Sequence, residues 1–211
     1  MIHRRTVALA LAATLASSLP AWAESHSQAP MPATDATAVI EMVLGAEDAP
    51  IAIIEYASFT CPHCASFHGD QFKKLKTDFI DTGKVRFTYR DVYFDRVGLW
   101  AAMLARCEPD RFFGVSELIY SKQDEWMDSR DPVELAANLR KLGKIAGLEE
   151  DRIKACMEDA DKAKMLVDWF QANMEVDKIE GTPTLIIDGE KHSNMSYADL
   201  KALLDQKLGS Q

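Results

Sequence analysis

Positive charge is scarce in this 211-residue sequence, which has 24 lysines and arginines against 33 acidic residues and a net charge of −9. An acidic surface argues against nucleic acid or an anionic membrane as a partner. Long apolar runs are scarce too, because the run over residues 7–19 is too short to span a bilayer comfortably. No internal repeat is present, and a hydrophobic content of 47% is sufficient for one packed domain with an insertion.

The first 23 residues have the pattern of an export signal rather than of folded structure. A basic start precedes the apolar run, and Ala21-Trp22-Ala23 is an A-x-A cleavage pattern. The paired arginines of the basic start also permit a twin-arginine signal. No cysteine follows the cleavage pattern, which argues against a lipid anchor. We therefore expect a cleavable signal peptide over residues 1–23, an exported protein and a flexible lead-in over residues 24–38.

Cysteine is also scarce, and its placement argues against two kinds of metal site. Beyond Cys61 and Cys64 there is no second C-x-x-C and no histidine pair with zinc-ligand spacing. Ala65 follows Cys64 where haem attachment needs histidine. His68 could join the two cysteines as a third ligand, but we interpret His68 and His192 as surface or packing histidines. We expect no metal and no other cofactor.

The C-x-x-C pair lies where the chain favours thiol chemistry. Apolar residues over 51–54 predict a buried strand, and apolar residues recur at helical spacing from Pro62 to a break at Thr82-Gly83. Pro62 suits the first helical position. The Cys61 sulfur would then lie beside unpaired N–H groups and the positive end of the helix dipole, which stabilise the reactive thiolate. Cys64, one turn later, is close enough to form a disulfide with Cys61.

Four cysteines allow three pairings. If Cys61 joins Cys64, Cys107 is left with Cys156. Both lie at the ends of predicted helices, and export to an oxidising compartment permits a structural bridge. The alternative, two buried free thiols, stays open.

Patterns typical of strands precede and follow a long stretch with helical patterns. Residues 108–110, 128–132 and 146–147 divide that stretch into separate predicted helices. Within that stretch, apolar residues at helical spacing predict that residues 162–175 face the core. The remaining elements are predicted strands over residues 40–44, 85–92, 184–187 and 190–193, and a final helix over residues 196–208. This order predicts an α/β layer interrupted by a helical insertion.

Two separated motifs carry a family resemblance. Phe59-Thr60-Cys61-Pro62-His63-Cys64, after a strand with Glu55 and ahead of Gly181-Thr182-Pro183-Thr184, resembles the DsbA-like periplasmic thiol:disulfide oxidoreductases of the thioredoxin superfamily. The resemblance covers the chain from about Val39 onward. It implies a thioredoxin fold with an inserted all-helical domain. The thioredoxin-like domain would comprise residues 39–95 and 177–211, and the helical insertion residues 96–176.

The resemblance also implies roles for the residues around the cysteine pair. Cys61 would be the nucleophile and Cys64 the resolving cysteine. His63, which follows Pro62, would stabilise the Cys61 thiolate through its ring N–H or positive charge.

Three residues outside the motif would support it. Pro183 would be a cis-proline facing the disulfide, preceded by Thr182. Glu55 would be a buried acid beneath the active site, where a proton relay is expected. Without the resemblance, the sequence pattern predicts that Glu55 is a carboxylate at a strand edge.

The implied activity is donation of the Cys61–Cys64 disulfide to reduced, unfolded or folding exported proteins in the periplasm. A membrane oxidant would regenerate the disulfide, and the protein would act as a monomer. An isomerase or reductase is the first alternative, because threonine before the proline is also common in disulfide isomerases. However, residues 24–38 are too few for their dimerisation domain or stalk. A non-catalytic chaperone or copper-binding module is the second alternative.

Overall fold

The computed structural model describes residues 39–210, so the signal peptide and lead-in expected over residues 1–38 lie outside the described residues. The strands are β1 (Met42–Leu44), β2 (Ile51–Ala57), β3 (Val85–Asp91), β4 (Thr184–Ile187) and β5 (Glu190–Ser193). The α-helices are α1 (Pro62–Gly69), α2 (Gln71–Leu75), α3 (Arg96–Ala105), α4 (Phe112–Ser121), α5 (Gln123–Trp126), α6 (Pro132–Ile145), α7 (Glu150–Met157), α8 (Ala160–Asp177) and α9 (Tyr197–Gly209).

The five strands form one mixed sheet in the order β1-β3-β2-β4-β5. β2 runs parallel to β3, and the other neighbours are antiparallel. The apolar sequence of β2 agrees with its position, because both of its faces are covered, one by the main core and the other by a smaller apolar cluster. The loop that carries Cys61 and Cys64 therefore leaves the sheet from its centre.

The side chains of β2 divide between two cores, because successive residues of a strand point to opposite faces. Ile51 and Ile53 lie in the main core. Glu55 falls on their face and is fully buried. Tyr56 points the other way and packs with Ile186 in a smaller cluster. The predicted buried strand is confirmed, and it carries one charged residue into the main core.

The β4–β5 hairpin is fixed to β2 through its turn. Asp188 and Gly189 both have positive φ values, 48° and 83°, as a tight two-residue hairpin turn requires. The Asp188 carboxylate accepts a hydrogen bond from the N–H of Ala52 at 2.9 Å, and the Asp188 N–H donates to the Ala52 carbonyl, also at 2.9 Å. The register of β4 on β2 is thereby set, and with it the position of Pro183 just before β4.

Helices α3 to α8 lie between β3 and β4, as the predicted insertion requires. Aspartate side chains cap three of them: Asp95 accepts from the N–H of Gly98, Asp131 from Val133 and Asp159 from Lys162. The structure adds breaks at residues 122 and 158–159 that the sequence reading missed. No helix between residues 39 and 210 is long and apolar enough to cross a membrane.

The prediction of one continuous active-site helix up to Thr82-Gly83 is wrong. The helix is interrupted at Asp70, whose backbone (φ −127°, ψ −70°) lies outside the helical region. It resumes as α2, and one π-helical turn over Lys76–Ile80 follows. The first strand is also shorter than predicted, since it begins at Met42.

The prediction that residues 162–175 face the core is only partly right. Leu166 is the fully buried residue of α8, and the other apolar residues of that stretch are half-buried. The reason is that Phe170 and Met174 pack against the smaller cluster on the second face of the sheet. A small cluster covers only part of a helix surface, so the rest of α8 meets solvent.

A disulfide joins Cys107, just after α3, to Cys156 in α7. Its two cysteines are 49 residues apart, so the bridge restricts a long loop of the unfolded chain. On chain-entropy grounds such a loop is worth up to about 4 kcal/mol of unfolding free energy.

We predict that the double variant Cys107→Ala, Cys156→Ala loses up to about 4 kcal/mol of unfolding free energy in urea titrations. The thiolate titration of Cys61 should not change, because the bridge lies in the insertion away from that sulfur. Equal stability of the variant and the parent protein would show that the bridge does not constrain the unfolded chain.

Candidate active site

Cys61 lies directly before α1, where backbone N–H groups have no helical partners. It is the N-cap residue, with an extended backbone (φ −87°, ψ 118°), and Pro62 takes the first helical position. The Cys61 N–H donates to the Ser58 carbonyl at 3.1 Å, which fixes the turn between β2 and α1. The sulfur is therefore held at the positive end of α1, where a negative charge is favoured.

The pKa of the Cys61 thiol is lowered to about 5. The largest cause is a hydrogen bond from the Cys64 thiol to the Cys61 sulfur, and burial acts against it. Thr182 and the backbone N–H groups of Cys64 and His63 lower the pKa further. All of these groups stabilise the charged sulfur and have no charge to stabilise in a disulfide. Cys61 is therefore a thiolate at neutral pH.

Thr182 faces the cysteine pair from the loop before β4. The neutral Cys61 thiol donates to the Thr182 carbonyl at 3.5 Å. Hydrogen bonding from the Thr182 side chain lowers the pKa of both active-site thiols, and its buried hydroxyl oxygen has no other partner among the described residues. We infer that this hydroxyl donates to whichever sulfur is ionised. The Thr182–Pro183 peptide bond is cis, as the family resemblance implied.

Cys64 is the opposite of Cys61 in exposure and in acidity. Its side chain is fully buried. The pKa of its thiol is raised, first by burial, then by its hydrogen bond to Cys61, and then by the charge of Glu55. Both cysteines are free thiols in this structure. A half-exposed thiolate next to a buried, protonated thiol can perform thiol–disulfide exchange in two distinct steps.

Glu55 and His68 form a buried hydrogen-bonded pair beneath the cysteines. The Nε2 atom of His68 lies 2.9 Å and 3.1 Å from the two carboxylate oxygens of Glu55. Neither side chain has appreciable exposure. The interpretation of His68 as a surface histidine is therefore wrong. As a packing histidine it is incomplete, because the buried ring packs against Phe72 and Tyr120 and also hydrogen-bonds Glu55. A buried acid next to a histidine is where proton transfer is expected.

The structure shows a backbone contribution of His63 to the acidity of Cys61, and the expected contribution of its ring stays a prediction. Its backbone N–H is among the groups that lower the pKa of Cys61. Its side chain is exposed at the edge of a cleft of about 630 Å³. The cleft is lined by His63, Glu180, Gly181, Thr182, Pro183, Thr184, Lys191, Ser193 and Asn194. It reaches the cysteine pair through Thr182, whose carbonyl lies 3.5 Å from the Cys61 sulfur.

Sequence reasoning missed two residues that hold the active-site loop. Gln123 in the insertion donates from Nε2 to the carbonyls of Phe59 and Cys61, at 2.8 Å and 3.1 Å. The Thr60 hydroxyl donates to the cap residue Asp95 at 3.1 Å. No local pattern marks Gln123, because it lies 62 residues after Cys61 and meets the loop only through the tertiary fold. Both contacts fix the active-site loop to the insertion.

No cluster of three or more histidine, cysteine or acidic side chains within residues 39–210 is arranged to hold a metal ion. His68, which the sequence allowed as a third ligand, hydrogen-bonds Glu55. His192 lies half-buried on the edge strand β5.

Comparison with known proteins identifies relatives over most of the described chain. The family model described as Thioredoxin matches residues 37–206. A protein of Rickettsia bellii with the provisional name protein-disulfide oxidoreductase is 32% identical over 170 residues, which cover 80% of this chain and 64% of that protein. Disulfide bond formation protein D of Bacillus subtilis is 28% identical, over 79% of this chain and 76% of that protein. The chain thus spans slightly less than two thirds of the length of the Rickettsia bellii relative.

Comparison with solved structures gives the same fold. The crystal structure of Wolbachia pipientis alpha-DsbA1 matches with a TM-score of 0.75 and 27% sequence identity, and the match covers 81% of this chain and 92% of that chain. The expected α/β architecture, a thioredoxin fold with an inserted helical domain, is therefore confirmed.

We predict that two replacements of His63 separate its ring from its backbone. His63→Ala removes the ring and keeps the N–H, whereas His63→Pro removes both. Proline is tolerated in the first turn of a helix, so α1 should persist in both variants. The Cys61 pKa, followed by thiolate absorbance against pH, should rise further in His63→Pro, by roughly one unit beyond His63→Ala.

The alanine variant is the matched control, because its difference from the parent protein measures the ring alone. Identical pKa values in the two variants would contradict a role for the His63 backbone donor.

Proposed function

The chain belongs to the thioredoxin family, in its DsbA-like branch, and on that premise we propose that it donates its Cys61–Cys64 disulfide to reduced exported proteins. The observation that supports the proposal is the opposite acidity of the two cysteines. The lowered pKa of Cys61 favours the reduced form, and the raised pKa of Cys64 keeps that residue protonated once it has been released. A disulfide whose reduced form is stabilised is a strong oxidant.

The exchange proceeds in two steps that transfer two electrons. A substrate thiolate attacks the Cys61 sulfur, a mixed disulfide forms, and Cys64 leaves and takes up a proton. The second substrate thiolate then attacks the substrate sulfur of the mixed disulfide, and Cys61 leaves as the stabilised thiolate. The substrate dithiol is oxidised to a disulfide, and the Cys61–Cys64 disulfide is reduced. Of the two protons that the substrate loses, one is bound by Cys64 and the other enters solvent.

The direction of the exchange depends on whether the site stabilises the reduced dithiol or the oxidised disulfide. Each pKa unit by which Cys61 lies below the ambient pH favours the reduced form about tenfold, or about 30 mV. At pH 7 a pKa of about 5 therefore drives electrons from substrate to Cys61. The cleft beside Thr182 and Pro183 is the place where the substrate segment would lie.

The cellular setting and domain organisation are part of the proposal. Residues 1–23 would direct export to the periplasm and be removed, and residues 24–38 would be a flexible lead-in. Residues 39–95 and 177–211 would form the thioredoxin-like domain, with residues 96–176 as the insertion. A membrane oxidant would regenerate the disulfide, and the protein would act as a monomer.

An isomerase or reductase is the second candidate, favoured by one observation. Thr182 precedes the cis-proline and hydrogen-bonds the active-site sulfur, and threonine at this position is also common in disulfide isomerases. Its hydroxyl stabilises an ionised sulfur in either direction of exchange. The redox equilibrium decides between the two candidates, because a reductase needs a stabilised disulfide.

We predict that the oxidised protein, mixed anaerobically with an equimolar reduced and unfolded model protein, transfers one disulfide per molecule. Quenching with acid and counting alkylated thiols by mass spectrometry should show Cys61 and Cys64 reduced and the substrate oxidised. The Cys64→Ser variant has no disulfide of its own to donate, so it is mixed instead with the disulfide form of the model protein. Its Cys61 thiolate should attack that disulfide and accumulate as a mixed disulfide, because no second sulfur remains on the variant to displace the substrate.

Cys61→Ser is the matched control and should form no mixed disulfide. Retention of the Cys61–Cys64 disulfide beside the reduced substrate would contradict an oxidase and favour the reductase. A purely binding protein would show no thiol exchange at all.

A further inference from the structure

The ring of His68 lies between Glu55 and a second cavity on the far side of α1. This rear cavity has a volume of about 430 Å³ and lies between helices α1, α2 and α4. His68 lines it, with Phe72 and Tyr120 beside the ring at centroid distances of 4.7 Å and 4.2 Å. The exposed residues Lys73 and Glu117 also line the cavity and form an ion pair across it at 3.6 Å. The rear cavity therefore opens to solvent.

The rear cavity is separate from the substrate cleft. The two have no lining residue in common. A protein bound in the cleft beside Thr182 and Pro183 would cover Cys61 and leave the rear cavity open. Its interior also has polar character, because the buried hydroxyl of Ser116 lines it and has no hydrogen-bond partner among residues 39–210. Such a hydroxyl suits a cavity that holds water.

On the premise of the proposed function, the buried Cys64 needs a route by which it can gain and lose a proton. Cys64 must gain a proton when it leaves the disulfide and lose one when the disulfide is restored. Its sulfur is fully buried, and the carboxylate of Glu55 lies close enough to raise the pKa of its thiol. Glu55 is itself fully buried, so it cannot exchange protons with solvent directly.

We propose that His68 is the proton-transfer residue that connects Glu55 to solvent through the rear cavity, so that Cys64 exchanges its proton away from the bound substrate. The inference rests on the proposed function. His68 does not touch substrate, and it acts by positioning and protonating Glu55. The hydrogen bond of its Nε2 to the carboxylate means that one proton already lies between the two groups.

The steps balance in both directions. When a substrate thiolate displaces Cys64, the proton of the Glu55–His68 pair passes to the Cys64 sulfur, and the pair takes a replacement from water in the rear cavity. When the disulfide is restored, the Cys64 thiol gives its proton to the pair and attacks Cys61, and the displaced thiolate leaves. The pair then releases the proton to the rear cavity. No oxidant beyond the disulfide that accepts the two electrons is required.

The groups that face His68 come from every element packed around it. Titratable side chains near its ring are Glu55 of β2, Tyr89 of β3 and Tyr120 of α4. Cys64 precedes it by one turn on the same helix. The rear cavity adds the charged residues Lys73, Lys76, Asp81 and Glu117. Both tyrosines have a raised pKa, chiefly through burial, so they stay neutral across the physiological range.

The test measures two rates separately: the formation of a mixed disulfide at Cys61, and its conversion to the Cys61–Cys64 disulfide. The reduced protein is mixed with glutathione disulfide, quenched in acid, and resolved by mass into dithiol, Cys61–glutathione mixed disulfide and Cys61–Cys64 disulfide. In His68→Gln, which keeps a donor for Glu55 but has no group that ionises near pH 7, conversion of the mixed disulfide should slow about 100-fold at pH 7. Formation of the mixed disulfide, and the thiolate titration of Cys61, should match the parent protein.

Chemical rescue separates proton transfer from packing. His68→Ala opens space next to the rear cavity, so added imidazole should restore the conversion rate in His68→Ala and leave the parent protein unaffected. Phe72→Leu is the matched control, since it alters the packing of the same ring without removing an ionisable group, and it should convert at the parent rate. Slow conversion in His68→Ala that imidazole does not restore would overturn the proposal in favour of a packing role.

A further variant keeps His68 and therefore tests the inference even when the His68 variants do not fold. Gly114 lines the rear cavity with open space at its Cβ position, so the side chain of Gly114→Trp should obstruct the cavity and slow conversion. Parent rates in both His68→Gln and Gly114→Trp would overturn the inference while leaving the proposed function intact. Failure of the parent protein to form any Cys61 mixed disulfide would overturn the proposed function and this inference with it.

Discussion

The hydrogen bond from the Cys64 thiol to the Cys61 sulfur is the interaction on which the chemistry of this site depends. It is the largest contribution to the lowered pKa of Cys61 and, on the other partner, it helps to raise the pKa of Cys64. One contact therefore makes the exposed sulfur a thiolate and keeps the buried sulfur protonated. The contact requires a C-x-x-C pair on the first turn of a helix, which places the second thiol one turn below the first.

The rest of the fold holds this pair in position. β2 delivers the loop from the centre of the sheet, and the insertion fixes its carbonyls through Gln123. The turn at Asp188 sets the register of β4, which places Thr182 opposite the cysteines. The insertion is thus part of the active site as well as a cover for the core.

One departure from apolar packing, the Glu55–His68 pair, lies beneath the cysteines. Burying a carboxylate is costly unless it is paired. Glu55 meets that condition with His68, whose ring is held by the aromatic side chains around it. A local departure from the hydrophobic pattern is expected at functional positions. This one also raises the pKa of Cys64, which links the departure to the chemistry.

The fold was predictable from the sequence because its strands, caps and hairpin turn have local signals. The strand–C-x-x-C–helix unit and the Asp188-Gly189 turn could both be read from neighbouring residues. The partner of Glu55 could not, because His68 follows Cys64 at a spacing that suits a metal ligand equally well. Gln123 has no local signal, since its contacts form only when the insertion packs on the loop. The break at Asp70 was missed because apolar residues continue at helical spacing across it.

The most direct test of the central claim is the unfolding free energy of the reduced protein minus that of the oxidised protein, measured between pH 5 and 8.5 with Cys107–Cys156 intact in both. Cys61 has a pKa of about 5 in the folded reduced protein and about 8.5 when unfolded. Its stabilisation of the reduced form is complete above the unfolded value and is lost as the pH falls to about 5. Cys64, whose folded pKa is raised, acts only above about 8.5, outside this window. We expect the difference to increase steadily from pH 5 to 8.5 in favour of the reduced protein. A difference that stays constant across that range would contradict a stabilised Cys61 thiolate as the source of oxidising power.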